Sequence, residues 1–83
     1  MNVSEARTLL NANVLTKATL YRSEDSSGWL IKFEATQPVG TSLVLETQKG
    51  YDRVFKTSDA AILTLCSIGF EAATIDIPIN LTL

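Results

Sequence analysis

The chain has 83 residues, of which 46% are hydrophobic and 19% are charged, and its formal net charge is −2. This length fits one domain, and the composition is typical of a globular protein rather than a disordered one. The slightly acidic balance gives no overall attraction to nucleic acid or anionic lipid, and no apolar run is long enough to predict a membrane span.

Two features bear on the cellular compartment. The first residues lack the basic stretch and the apolar run of a signal peptide. The single cysteine, Cys66, cannot form an internal disulfide, whereas small secreted domains usually carry several cysteines. We therefore expect a cytoplasmic protein.

In chain order, the first predicted element is a short helix over residues 4–12, with Ser4 as its N-cap. Alternating apolar and polar residues predict strands over 14–22 and 29–36, and the polar run between them predicts the loop of a β-hairpin. A third strand over 42–46 is apolar enough to predict a position in the middle of the sheet. A short turn then leads to a fourth predicted strand over 51–56.

A helix over residues 57–68 is the central predicted element. Thr57 or Ser58 is expected to cap its N-terminus, and Gly69 follows its last apolar residue. Because its side chains are apolar on nearly all sides, we expect the helix to be buried. The predicted core combines residues of this helix and of the strands, namely Ile62, Leu63, Leu65, Cys66, Trp29, Ile31, Phe33 and Ile75.

The final alternating segment, residues 73–83, is about twice the usual strand length of roughly five or six residues. Short strands of one monomer cannot pair with all of it, so we predict a homodimer with Ile79, Leu81 and Leu83 at the interface. The alternative is a frayed tail, or one folded back over the first helix. The predicted fold is one α+β domain in the order α-β-β-β-β-α-β, with two helices and a mainly antiparallel sheet of four to five strands.

The residue types needed for common catalytic and metal sites are scarce. The chain has no histidine and one cysteine, which excludes nucleophile–histidine pairs and the usual zinc sites. Its four glycines are far apart and each fits a turn or a helix cap, so no phosphate-binding loop is present in the sequence. We expect a protein that is not an enzyme and that holds no metal and no cofactor.

Basic and aromatic residues interleave around the fourth predicted strand: Lys49, Tyr51, Arg53, Phe55 and Lys56. Aromatic and cationic side chains on one face of a sheet are one means of holding single-stranded bases. This pattern predicts that Lys49, Tyr51, Arg53 and Lys56 bind nucleic acid or a partner protein. The alternative is structural: Phe55 packs under the following helix, Tyr51 covers its edge, and Arg53 pairs with a nearby carboxylate.

Three runs in the second half of the chain carry a resemblance: Leu45-Glu-Thr-Gln-Lys-Gly50, Arg53-Val-Phe-Lys-Thr-Ser-Asp-Ala-Ala61 and Ile68-Gly-Phe70. In these runs the chain resembles small accessory proteins carried beside partition and replication genes on bacterial plasmids and integrative elements. The resemblance implies a bacterial or mobile-element origin and a binding role in DNA maintenance, and it assigns no catalytic residue. A structural protein–protein adaptor that does not contact nucleic acid is the second functional hypothesis.

Overall fold

The computed structural model describes residues 1–25 and 27–76, which form two helices and four strands. Their order and bounds are α1 Val3–Asn11, β1 Leu15–Arg22, β2 Trp29–Ala35, β3 Thr41–Val44, α2 Ser58–Ile68 and β4 Thr74–Asp76. The predicted α+β class is confirmed.

The strands form one sheet in the order β3-β2-β1-β4. The β1–β2 and β2–β3 pairs are antiparallel, whereas β4 lies parallel to β1, so the sheet is mixed. The predicted central position of β3 is wrong, because β3 forms one edge of the sheet and β4 forms the other. The apolar residues of β3 do not require a central position, because Leu43 and Val44 are only half-buried at the edge and the fully buried Leu45 follows the strand.

The fourth predicted strand, over residues 51–56, does not form as a regular strand. Only two isolated bridges occur there, joining Glu46 to Asp52 and Trp29 to Phe55. Trp29 already pairs with Arg22 of β1 on its other side. The returning chain therefore takes the place beside β2 that β3 has left, instead of adding another strand to the sheet.

Helix α1 begins one residue earlier than predicted, and Asn2 rather than Ser4 is its N-cap. The Glu5 N–H donates to Asn2 Oδ1 at 2.9 Å, and the Asn2 N–H donates to Glu5 Oε1 at 3.1 Å. This reciprocal pair is a capping box, which needs a Glu or Gln three residues after the cap. Asn2 has that spacing from Glu5, whereas the residue three positions after Ser4 is Arg7.

Helix α2 has the predicted ends. The Thr57 hydroxyl accepts the Ala60 N–H at 3.2 Å, which satisfies a donor of the first turn. Gly69 ends the helix with φ at 121°, a conformation that side-chain-bearing residues rarely adopt.

Both helices pack against one face of the sheet and against each other around a single core. Leu20, Ile31 and Phe33 lie at its centre and are fully buried. Phe70, just after α2, stacks on Phe33 with 5.5 Å between ring centres. The remaining buried apolar residues are Ala6, Leu15, Ala18, Ala35, Leu45, Phe55, Ala61, Leu65 and Ile68.

The predicted burial of α2 on all sides is wrong. Leu65 is buried, but Ile62, Leu63 and Cys66 are exposed, and 69% of the Leu63 surface is accessible. Ile75 of β4 is also exposed, and Trp29 is only half-buried. One sheet face and one neighbouring helix cover only part of a helix circumference, so the rest of α2 faces outward.

Candidate binding surfaces

The first candidate is the basic turn, residues 47–56, which follows β3. Its tip is closed by backbone bonds: the Thr47 N–H donates to the Tyr51 carbonyl at 2.7 Å, and the Gly50 N–H donates to the Thr47 carbonyl at 3.0 Å. The Tyr51 N–H also donates to Thr47 Oγ1 at 3.3 Å. Gly50 has φ at 91°, which lets the chain reverse without strain.

The second half of the basic turn is attached to the sheet. The Arg53 N–H donates to the Leu45 carbonyl at 2.9 Å. Phe55 and Trp29 exchange two backbone bonds, with N–H to carbonyl oxygen distances of 2.8 Å and 2.7 Å. With Leu45 and Phe55 buried, the turn is held at both of its ends.

The side chains of the turn separate into a buried anchor and an exposed group. Phe55 is buried, as the structural alternative expects, and the Arg53 guanidinium lies 5.0 Å from the centre of its ring. Tyr51 does not cover that ring edge, because 71% of its surface is exposed. Lys49 and Lys56 are exposed as well. Among the residues that the structure describes, neither these lysines nor Arg53 forms an ion pair, so the expected Arg53–carboxylate pair is absent there.

A shallow polar cavity of about 200 Å³ lies between the turn and the start of α1. Arg53 and Glu46 line it together with Asn2, Val3, Ser4, Thr47 and Gln48. The Met1 amino group donates to the Glu46 carboxylate in an ion pair, and the Glu46 N–H donates to the Met1 carbonyl at 2.7 Å. The Glu46 carboxylate is thus paired with this ammonium.

The acidic residue of the turn, Asp52, lies close enough to β1 for its charge to affect the pKa of Tyr21. Burial of the phenol is the larger cause that raises the pKa of Tyr21, and the negative charge of Asp52 raises it further. Lys32 Nζ lies 5.3 Å from the centre of the same ring. The turn therefore brings this carboxylate to the neighbourhood of β1.

The second candidate is the α2–β4 surface, which includes Ile62, Leu63, Cys66 and Ile75 of the predicted core. It consists of six exposed residues, namely Ile62, Leu63, Cys66, Ala72, Ala73 and Ile75. A cavity of about 90 Å³ lies between Ile62 and Cys66 on one side and Ala72 and Ala73 on the other, and the exposed Glu71 also lines it. The uncharged body of α2 is visible in the sequence, and such a helix packed on one sheet face leaves apolar side chains uncovered.

The interface residues predicted from the last segment, Ile79, Leu81 and Leu83, lie outside the described residues. Within residues 1–25 and 27–76, no group of three or more His, Cys, Asp or Glu side chains is placed to hold a metal ion. In the same part of the chain, no helix has the length and apolar character needed to cross a bilayer.

Comparison of the chain with protein-family models, with curated proteins and with solved structures gives no match. The two surfaces are therefore interpreted from their own chemistry.

Proposed function

We propose that this chain is a non-enzymatic binding module that contacts single-stranded nucleic acid through the basic turn. The observation that carries the proposal is Tyr51, which is 71% exposed on a turn that hydrogen bonds close and that also carries Lys49 and Arg53. Plasmid or mobile-element maintenance, the setting that the resemblance implies, is part of the proposal.

Stacking on a held aromatic ring is the first contribution to binding. A base that stacks on a tyrosine contributes about 1–3 kcal/mol, largely without regard to its identity. Because the backbone of the turn is already fixed, little chain entropy is lost when the base arrives. Arg53, positioned over Phe55, and the exposed lysines then lie in the same short segment to contact phosphates.

Electrostatic attraction between the cations of the turn and the phosphates is the second contribution to binding, and the acidic net charge of the chain limits it. The whole chain carries −2, so attraction must come from the local cations Lys49, Arg53 and Lys56. For single strands, each neutralised phosphate changes the slope of log K against log salt by about −0.7, so three contacts give a slope of about −2.

The test measures fluorescence anisotropy of a labelled oligothymidylate between roughly 50 and 200 mM salt, the range over which phosphate contacts weaken markedly. Tyr51→Ala is expected to weaken binding about 5- to 150-fold, which corresponds to about 1–3 kcal/mol. Lys49→Ala or Lys56→Ala should each make the salt slope shallower by about 0.7. These three side chains are exposed, so the variants keep the fold.

Val39→Ala is the matched control, because Val39 is 93% exposed on the loop before β3 and lies outside the turn. Its affinity should equal that of the unchanged protein. The proposal is overturned if the protein binds no oligonucleotide at low salt, or if Tyr51→Ala binds as well as the Val39 control. A duplex of the same length distinguishes base stacking from phosphate contact alone, since paired bases are not available to Tyr51.

The second candidate function is a protein–protein adaptor that does not contact nucleic acid. It is favoured by the apolar α2–β4 surface and by the acidic net charge. For this function, Tyr51 and Arg53 are residue types that commonly dominate protein interfaces. The same oligonucleotide titration separates the two functions, because an adaptor gives no anisotropy change at any salt concentration.

A further inference from the structure

The polar cavity of about 200 Å³ between the basic turn and the start of α1 is lined by one arginine, Arg53. The Arg53 guanidinium lies 5.0 Å from the centre of the Phe55 ring, and Phe55 is buried. An arginine that stacks on an aromatic ring keeps the N–H groups at the edge of its planar fork free for hydrogen bonds. Contact with the ring therefore restrains the cation beside the cavity without using its donors.

The charges of the cavity lining favour an anion. Arg53 and Glu46 are its two charged side chains, and the Glu46 carboxylate is ion-paired with the Met1 ammonium. Arg53 forms no ion pair with any residue that the structure describes. Because the paired charges cancel, the lining has one uncompensated positive charge.

Neutral hydrogen-bond donors line the same cavity. Ser4 has a hydroxyl and Gln48 has a side-chain amide, and neither group bonds to another residue within the described part of the chain. The Thr47 hydroxyl oxygen accepts the Tyr51 N–H at 3.3 Å, so its own O–H can still donate. Arginine together with Ser, Thr and Gln side chains is the donor set that commonly contacts the phosphates of nucleic acids.

We propose that this cavity binds the phosphate of the nucleotide whose base stacks on Tyr51. The inference rests on the proposed function and assigns a separate position to the phosphate. Thr47 connects the two positions, because it lines the cavity and its N–H donates to the Tyr51 carbonyl at 2.7 Å. A base and its own phosphate are separated by a single sugar, so one nucleotide can contact Tyr51 and the cavity together.

The proposal separates the roles of the cations in the basic turn. Arg53 lines the cavity and contacts the phosphate of the stacked nucleotide. Lys49 and Lys56 are exposed and do not line the cavity, so they contact other phosphates of a longer strand. A mononucleotide should therefore depend on Tyr51 and Arg53 but not on either lysine.

Titrations with thymidine and with thymidine monophosphate at low salt, followed by NMR shifts of the backbone amides, test the proposal. The monophosphate should bind about tenfold more tightly, because charged groups strengthen hydrogen bonds to the phosphate. Arg53→Gln should abolish this preference, and Arg53→Lys should keep only part of it, because lysine lacks the planar fork. Tyr51→Ala should weaken both ligands by the same factor. Lys49→Gln is the matched control, since it removes an equal charge outside the cavity and should keep the preference.

A second measurement needs no substitution and so does not depend on the folding of a variant. The amides of Ser4, Thr47 and Gln48, which line the cavity, should shift with the monophosphate and not with thymidine. The proposal is overturned if the unchanged protein binds both ligands equally, if these amides do not shift, or if folded Arg53→Gln keeps the preference. Failure of the proposed function is a different result, because oligothymidylate itself then does not bind at low salt.

Discussion

The two edges of the sheet differ in how the chain completes them. Beyond β3, the chain makes the basic turn and returns to the sheet, where the buried side chains of Leu45 and Phe55 anchor it. At β4, three exposed residues pair with β1 alone, and no described residue lies on their outer side. One edge is finished by the chain itself, whereas the other, with Ile75 between Thr74 and Asp76, is unpaired among the described residues.

This difference shows how a small domain distributes a limited number of apolar residues. Charged side chains, turns and short strands protect an edge from unwanted pairing, and the β3 side has all three. The β4 side has a short strand on which Ile75 is exposed. The finished edge therefore holds the basic turn in place, whereas the described residues leave the β4 edge unpaired.

The largest expected effect concerns the anchor of the finished edge. Phe55→Ala removes a ring that is 94% buried and that supports the Arg53 guanidinium, so we expect a loss of about 3–5 kcal/mol in the free energy of unfolding. Ile75→Ala at the other edge should cost under about 1 kcal/mol in the monomer, because its side chain is half-exposed. Urea denaturation at low protein concentration measures both values.

Comparable losses for the two variants would contradict the comparison. In that case β4 would be held by packing within one chain, and its edge would be as complete as the other. Repeating the Ile75→Ala measurement at high protein concentration distinguishes the contributions, because stability lost through weakened association depends on concentration and intrachain packing does not.

The second prediction concerns the close approach that holds the returning segment against β2. A Cβ atom added at Gly28 would lie 2.5 Å from Val54 Cγ1 and 2.6 Å from the Phe55 carbonyl oxygen. Gly28→Ala therefore forces the segment outward, and we expect a loss of about 1–3 kcal/mol in the free energy of unfolding.

The double variant with Val54→Ala provides the control for this prediction. Val54 is 52% exposed, so Val54→Ala alone should change stability by less than about 0.5 kcal/mol. Added to Gly28→Ala, it should recover only part of the loss, because the clash with the Phe55 carbonyl remains. Full recovery would show that the backbone at Phe55 moves freely, contrary to an anchored edge.

Local signals predicted the elements that local interactions determine. The cap at Thr57, the end at Gly69 and the β1–β2 hairpin were predicted because each depends on residues close in sequence. The edge position of β3 and the absence of a regular strand over residues 51–56 depend on which segment pairs with β2 at Trp29. That pairing is between residues distant in sequence, so no local pattern predicts it. The Asn2–Glu5 capping box is also a local signal, and its spacing distinguishes Asn2 from Ser4 as the N-cap.

The two candidate surfaces also differ in how much of each could be predicted from local sequence. Tyr51 and the neighbouring cations were identified from their order along the chain, and the structure places Tyr51 at the surface while burying Phe55. Leu63 and Ile75 were assigned to the core because apolar residues usually are buried. Only the three-dimensional arrangement shows that one sheet face cannot cover every side of α2.

The smallest expected effect is a change in the pKa of Tyr21 on β1 when the charge of Asp52 in the basic turn is removed. The ordinary pKa of a tyrosine is 10.0, and that of Tyr21 is raised, first by burial and then by the charge of Asp52. Asp76 of β4 is the in-register neighbour of Tyr21, yet the carboxylate that acts on the phenol comes from the basic turn. We expect Asp52→Asn to lower the Tyr21 pKa but to leave it above 10.0, because burial remains.

Phenolate absorbance on raising the pH measures this change. The chain has two tyrosines, so Tyr51→Phe in every sample leaves Tyr21 as the only reporter. Asp76→Asn is the matched control and should shift the pKa less than Asp52→Asn does. Because the folded-state pKa is raised, this contribution to stability is complete below pH 10.0 and is lost as pH rises through the folded-state value. A larger shift from Asp76→Asn would show that the β4 edge, rather than the turn, controls the charge around β1.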